Sequence, residues 1–205
     1  MPTPSRRRAA PVRERRSHAE RTAETRAKVM AAVVASIASV GFQRTTAAEI
    51  TRRAGVSWGA VQHHFGDKDG ILDAVLADSF ERFAQRLTGV ELDGLDLDAR
   101  VATFVDGAWE HFGSPHYRCT FEILLNHPGA EGDAWQGMLE AWNEVWTRFF
   151  PAPHLARREV VALQLYAISV LSGLATVRAL GGRPARLLDG PLALLCEALV
   201  QNLEA

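Results

Sequence analysis

The chain has 205 residues, 47% of them hydrophobic and 23% charged, with a formal net charge of −1. That length supports one sizeable core, or a small domain joined to a larger one. No apolar run reads as a membrane span and no signal-type hydrophobic segment opens the chain. The two cysteines, Cys119 and Cys196, lie too far apart in sequence for a disulfide scaffold, so the cytoplasm is the expected compartment.

The charge is unevenly distributed. Residues 1–68 hold 13 Lys plus Arg against 5 Asp plus Glu, a net of +8, and the remainder holds 10 against 19, a net of −9. Only the N-terminal third is therefore suited to a polyanion. Within it, residues 1–20 carry Pro2, Pro4, Pro11 and six arginines without apolar periodicity, which reads as a basic, disordered arm. A first helix is expected from about Arg21 to Val40, with Val29, Ala32, Val33, Ile37 and Val40 at helical spacing. Gly41 ends it, and Phe42 folds back on its last turn.

The stretch from Thr46 to Lys68 is the most specific. Thr46 caps a short helix, with Glu49 placed to close a capping box, and Ala47, Ala48, Ile50 and Ala54 form its buried side. Gly55 supplies a left-handed residue at the helix end, Val56 plugs the turn, and Ser57 caps the next helix, Trp58 to Phe65. This is helix-turn-helix grammar, in which the second helix enters a DNA major groove. Asp67 then caps a fourth helix carrying Ile71, Leu72, Val75, Leu76, Phe80 and Phe83.

Beyond a polar connection at 89–98, further helices are expected over Ala99–Phe112, Tyr117–His127, Asp133–Phe149, Leu155–Leu180 and Pro191–Leu203. Trp135, Met138, Leu139, Trp142, Val145, Trp146 and Phe149 form one helical stripe. Leu165, Ile168, Val170, Leu171 and Leu174 belong to a helix that is apolar nearly all round. Leu188, Leu192, Leu195, Leu199 and Leu203 stripe the last one. These two helices are read together as a dimer interface, a four-helix bundle across a two-fold axis. No strand-type alternation occurs, so the fold class is all-α: an N-terminal three-helix helix-turn-helix domain (21–68) and a larger helical ligand-binding and dimerisation domain (69–205).

Over about Arg21 to Leu76 the chain resembles the TetR family of bacterial transcription regulators. The resemblance rests on the long helix, the pattern T-x-x-x-I-x-x-x-A-G-V-S, and Gly59-Ala60 followed by His64-Phe65-x-x-Lys68. It implies that Thr46, His64 and Lys68 meet phosphates, while Trp58, Gly59, Gln62 and His63 sit toward the groove beside the capping Ser57. Gln62 stands where the family most often has an aromatic, usually Tyr. A glutamine there can hydrogen-bond a phosphate or read adenine, and Trp58 can pack on thymine methyls. The competing readings are a Trp58 that merely covers the core and surface histidines at 63 and 64.

The resemblance further implies an effector pocket in the acidic body. Trp109, Phe112, Phe121, Trp142 and Trp146 are its candidate walls, and His111, Glu122 and Asn126 its candidate polar anchors, against the plain reading of such aromatics as core. His111, His116 and Cys119 are weighed as metal ligands and set aside, because Pro115 breaks the helix between them. No nucleophile elbow, phosphate-cradling glycine loop or zincin helix occurs, so neither enzyme nor cofactor is expected. The expected protein is a homodimeric repressor released from a double-stranded DNA operator by a small-molecule effector, without membrane involvement. The alternatives are a constitutive architectural DNA-binding dimer and a metal-dependent enzyme on a helical bundle.

Overall fold

A computed structural model describes residues 17–127, 133–180 and 186–204, with the side chains of 133–135 and 186 outside that description. The expected basic arm (except 17–20) and Trp135 of the expected stripe thus lie outside the described residues. The first helix, α1, spans His18–Val40 and starts three residues before the expected Arg21. The reason is local. Ser17 accepts from the Glu20 backbone N–H at 3.1 Å while Glu20 accepts from the Ser17 N–H at 2.7 Å, a complete capping box.

After a 3-10 turn at Phe42–Arg44 come α2 (Ala47–Ala54), α3 (Trp58–Phe65) and α4 (Lys68–Thr88). Then follow α5 (Leu97–Phe112), α6 (Pro115–Asn126), α7 (Asp133–Phe149), α8 (Arg157–Ala179) and α9 (Arg186–Glu204). No strand occurs among the described residues, and the all-α class holds. Pro115 opens α6 as its first residue behind the Ser114 cap, where a missing N–H costs nothing. Pro191, expected to open the last helix, instead lies inside α9.

Two apolar clusters organise the chain. The first joins Val29, Val33 and Ile37 of α1 to Ile50, Val61 and the first half of α4 (Ile71, Leu72, Val75, Leu76, Phe80), and also takes Cys119 and Ile123 from α6. The second is aromatic. Phe104 of α5 meets Trp142, Trp146, Phe149 and Phe150 edge-on at centroid distances of 5.1–5.5 Å, and Phe83 and Leu87 of α4 join them. Helix α4 thus belongs to both clusters. Its far end is closed by Arg148 of α7, which donates to the carbonyls of Leu87 and Val90.

Two expectations about the last helices are corrected. Leu188, Leu195, Leu199 and Leu203 are buried within the chain, the last three against the aromatic cluster, so this stripe faces its own core and not a partner. Exposed apolar side chains lie instead on α8 (Val161, Leu165, Tyr166, Val177) and on the other side of α9 (Leu187, Leu194). Helix α8 is also long and apolar enough, by length and composition, to cross a bilayer, contrary to the expectation of no such run. Its interruptions, Gln164, Ser169, Ser172 and Thr176, are polar but uncharged.

The junction of α3 and α4 depends on one residue. A Cβ built on Gly70 would stand 2.0 Å from the Phe65 carbonyl oxygen, a backbone atom that cannot rotate away. Gly70→Ala should therefore destabilise the fold by ~1–3 kcal/mol from overpacking, outweighing the ~1 kcal/mol that alanine gains in helix propensity. Urea unfolding followed by circular dichroism measures the difference; a stabilised variant would show that the two helices can separate freely.

Candidate nucleic-acid interface and internal cavity

Both short helices of the N-terminal domain start and stop as the sequence dictates. The Thr46 hydroxyl accepts from the Glu49 N–H at 3.3 Å, and Ser57 accepts from the Ala60 N–H at 3.2 Å. Gly55 closes α2 in the left-handed region (φ 66°, ψ 32°). The capping box at Thr46 is only half made, because the Glu49 carboxylate turns to Arg52 and Arg53 while the Thr46 N–H donates to the Arg44 carbonyl at 3.1 Å. Ala48, expected on the buried side of α2, is exposed.

Helix α3 buries Val61 and half-buries Phe65, and these hold it to the domain. Its other face is open: Ser57, Gly59, Gln62 and His63 are exposed. A Cβ at Gly59 would meet only Ser57 Oγ, at 4.0 Å, so internal packing does not demand this glycine. Trp58 is half-buried against the first cluster, consistent with the core-covering reading, and keeps part of its ring outside. His64 is half-buried, its ring edge-on to His63 and Phe65.

One positioning residue was missed by the sequence reading. Arg26 of α1 donates to the His64 carbonyl at 2.7 Å and lies 4.5 Å over the Phe65 ring, fixing the C-terminal end of α3. Nothing in the local pattern distinguishes Arg26 from its arginine neighbours, because its partners lie 38 and 39 residues away.

The basic residues differ in availability. Arg52 makes a two-pronged pair with Glu49 (2.9 and 2.7 Å) and Arg53 reaches the same carboxylate at 2.5 Å, which holds Glu49 down at about 2. Arg53 is further tied to the Ala35 carbonyl. Lys68, at the start of α4, lies 5.0 Å over the Phe42 ring and keeps its donors. A surface groove along α2 gathers Arg44, Thr46, Ala48 and Arg52. Arg44 was not among the expected site residues, since it sits in the 3-10 turn and matches no motif.

In the body, α4–α8 line a partly open cavity of about 290 Å³, with the exposed Leu125 and Leu139 at its rim. Of the expected pocket residues, Phe112, Phe121, Trp142 and His111 line it, together with Phe80, Phe83, Tyr117 and Ile168. Glu122 instead lines an adjoining outer groove of about 400 Å³ with Arg118 and Arg178, and it accepts from the Phe42 N–H at 3.2 Å. Asn126 accepts from Gln43 at 3.2 Å, Trp109 lies under Arg178, and Trp146 is core. These three line neither the cavity nor the adjoining groove, because they share helices with the lining but not its face. The metal candidates diverge as well: Cys119 packs into the first cluster, with burial pushing its thiol up to about 12, and His116 faces Asp78 at 3.4 Å.

Burial, aided by the neighbouring charges of His116 and Arg86, lowers His111 to about 4. The native state therefore favours neutral His111, and its contribution is complete above the ordinary value of 6.5 and lost as pH falls toward about 4. His111→Gln should flatten the decline in unfolding free energy over that window. Denaturant titrations at pH 7 and pH 4.5 test this; an unchanged slope would remove the assignment.

Residues 29–75 match the family described as bacterial regulatory proteins, tetR family. The HTH-type transcriptional regulator BetI of Cronobacter sakazakii is 30% identical over 141 residues, covering 67% of this chain and 59% of that protein. The chain thus matches about three fifths of that curated relative. A transcriptional regulator from Rhodococcus sp. Rha1 has a similar fold, with TM-score 0.68 and 21% identity over 86% of this chain and 96% of that one. So does a TetR family protein from Vibrio parahaemolyticus, with TM-score 0.66 and 22% identity over 85% and 97%. By its N-terminal motif, the chain belongs to the TetR family of bacterial regulatory proteins.

Proposed function

We propose that this protein is a homodimeric transcription regulator acting in the cytoplasm, a repressor whose hold on a double-stranded DNA operator is released by a small-molecule effector. The observation that carries the reading is the free face of α3. Beside the capping Ser57, the positions Gly59, Gln62 and His63 are exposed although no packing or hydrogen bond of the fold is seen to call for them, and Gly59 is open to a close approach. The N-terminal excess of positive charge supplies the sequence-independent attraction. In this reading Gln62 touches a base edge or phosphate, while Lys68, Thr46, His64 and Arg44 meet phosphates on either side.

The effector half of the proposal draws on the 290 Å³ cavity. Tyr117, Phe121, Leu124 and Leu125 of α6 line it, while Cys119 and Ile123 on the opposite side of the same helix pack into the DNA-reading domain. A ligand that favours one position of α6 therefore favours one position of the domain, and α4 moves with it as the shared lever. Release requires tighter ligand binding to the spacing that fits DNA poorly.

The dimer half draws on the uncovered apolar strip. Leu165 and Leu194, 54% and 63% exposed, continue through Val161, Tyr166 and Val177 on α8 and Leu187 on α9. Such a strip is suited to an identical strip related by a two-fold axis.

Two measurements test the proposal. In gel shifts with the DNA upstream of its own gene, Lys68→Ala should weaken binding about fivefold or more to all sequences and reduce the salt dependence, whereas Gln62→Ala should narrow the gap between operator and random DNA. Equal affinity of the unmodified protein for both DNAs would defeat the specific-regulator reading. In light scattering, Leu165→Glu with Leu194→Glu should convert a dimer to a monomer of unchanged helical content; a dimer that persists places the interface elsewhere.

A further inference from the structure

The outer groove beside the cavity has a chemistry of its own. Its lining is mostly apolar, with Phe112, Tyr117, Phe121 and Leu125 from α5 and α6 and Ala179 and Leu180 at the end of α8. Three charged residues join them: Arg118, Glu122 and Arg178. Glu122 is committed elsewhere, standing 3.6 Å from Arg118 and accepting from the Phe42 N–H. Arg178 is left over. Among the described residues its guanidinium has no hydrogen-bond acceptor and no ion-pair partner. Arg82, Arg86, Arg100 and Arg148 of the same body each reach a carboxylate or a carbonyl.

An unpaired surface arginine is ordinary when it is free to wander, but this one is held in place. Its guanidinium lies 4.9 Å over the Trp109 ring. A Cβ built on Gly113 would stand 2.4–2.6 Å from its two terminal nitrogens and Cζ. Gly113 itself has φ −78° and ψ −4°, a conformation open to any residue, so the space it leaves serves the guanidinium. Gly113 also lines the groove, which places the held fork at the groove wall.

A guanidinium fixed in this way matches the two oxygens of a carboxylate, and little of its freedom is left to lose on binding. The same charge repels a cation, and a dianion would meet Glu122 with one free arginine to offset it. About 400 Å³ is more than twice the ~150 Å³ that holds a benzene, so the apolar walls admit a body of about two rings. We propose that this groove binds a monocarboxylate with an apolar, two-ring body, its carboxylate on Arg178 and its body against Phe112, Tyr117 and Phe121. The site is additional to the cavity proposed for the effector and does not depend on it.

Isothermal titration calorimetry on the full-length protein tests this with three probes of similar shape. They are 2-naphthoate, the uncharged 2-acetylnaphthalene and the cation 2-naphthyltrimethylammonium. The carboxylate should bind about fivefold more tightly than the ketone, and the cation more weakly than either. Arg178 is exposed and lines the groove but not the cavity, so Arg178→Gln should keep its helical content and lose the preference for the carboxylate. Gly113→Ala leaves the charge in place but displaces the guanidinium, and should lose part of that preference. Equal binding of carboxylate and ketone overturns the proposal, as does a cation that matches the carboxylate. A preference that survives Arg178→Gln, or failure of 2-naphthoate to bind at millimolar concentration, overturns it equally. An unchanged preference in Gly113→Ala overturns the part assigned to that glycine.

Discussion

The crossing of α4 and α6 is the contact on which both halves of this protein depend. There the Thr120 hydroxyl donates to Ser79 Oγ at 2.8 Å in a buried setting, beside Phe80, Cys119 and Ile123. A buried polar pair of this kind fixes register in a way that apolar packing alone does not, because sliding either helix takes the donor away from Ser79, while Thr120 can fall back on the His116 carbonyl of its own helix. Further along, His127 at the end of α6 stands 3.7 Å from Asp69 and 3.5 Å from Asp73 on α4. The N-terminal domain is consequently not a bead on a string. Part of its core is donated by a helix from the body, so its orientation is a property of the body's packing.

The same arrangement explains how α3 can be so polar and remain ordered. A helix of eight residues with one fully buried side chain does not hold itself together. Its geometry is imposed from outside: Ser57 and the Gly66 N–H close its ends, Arg26 clamps the His64 carbonyl and the Phe65 ring, and Gly70 lets α4 cross beneath it. Because the constraints come from α1 and α4, the outward positions 59, 62 and 63 are free to be chosen for a partner. On the proposed reading, stability and recognition fall to different residues of one short helix.

What the sequence made legible follows from the range of each signal. Thr46, Gly55, Ser57 and Asp67 act on neighbours within four residues, and all four cap or close helices as read. The capping box at Ser17 was equally local and was obscured only by the arginine-rich, proline-broken segment around it. Where a face is covered by a distant element, periodicity reveals the face and not the cover. The leucine stripe of α9 was assigned to a partner, but α5 and the aromatic cluster cover it. Trp146 and Trp142 are one turn apart on a single stripe, yet one is core and the other a cavity wall, a distinction made by α6 and α8. Gly70 was unremarkable in sequence for the same reason, since its only demand comes from Phe65 of the preceding helix.

For the coupling proposed above, magnitudes decide which contacts give way. Allosteric coupling of ordinary strength is about 1–3 kcal/mol. Displacing Ile123 from its cluster, or parting Ser79 from Thr120, would cost several kcal/mol in cavity and unpaired-hydroxyl terms. The outer bonds from α6 to the 3-10 turn are weaker: Phe42 N–H to Glu122, and Gln43 to the exposed Asn126, contribute about 1 kcal/mol each. In the proposed coupling, a ligand pressing on Tyr117 and Phe121 would have enough free energy to pivot α6 about Thr120 and release the 3-10 turn, but not enough to dismantle the shared core. The motion that such a ligand would send to α3 is a tilt of an intact domain, led by the segment that joins α1 to the caps of α2.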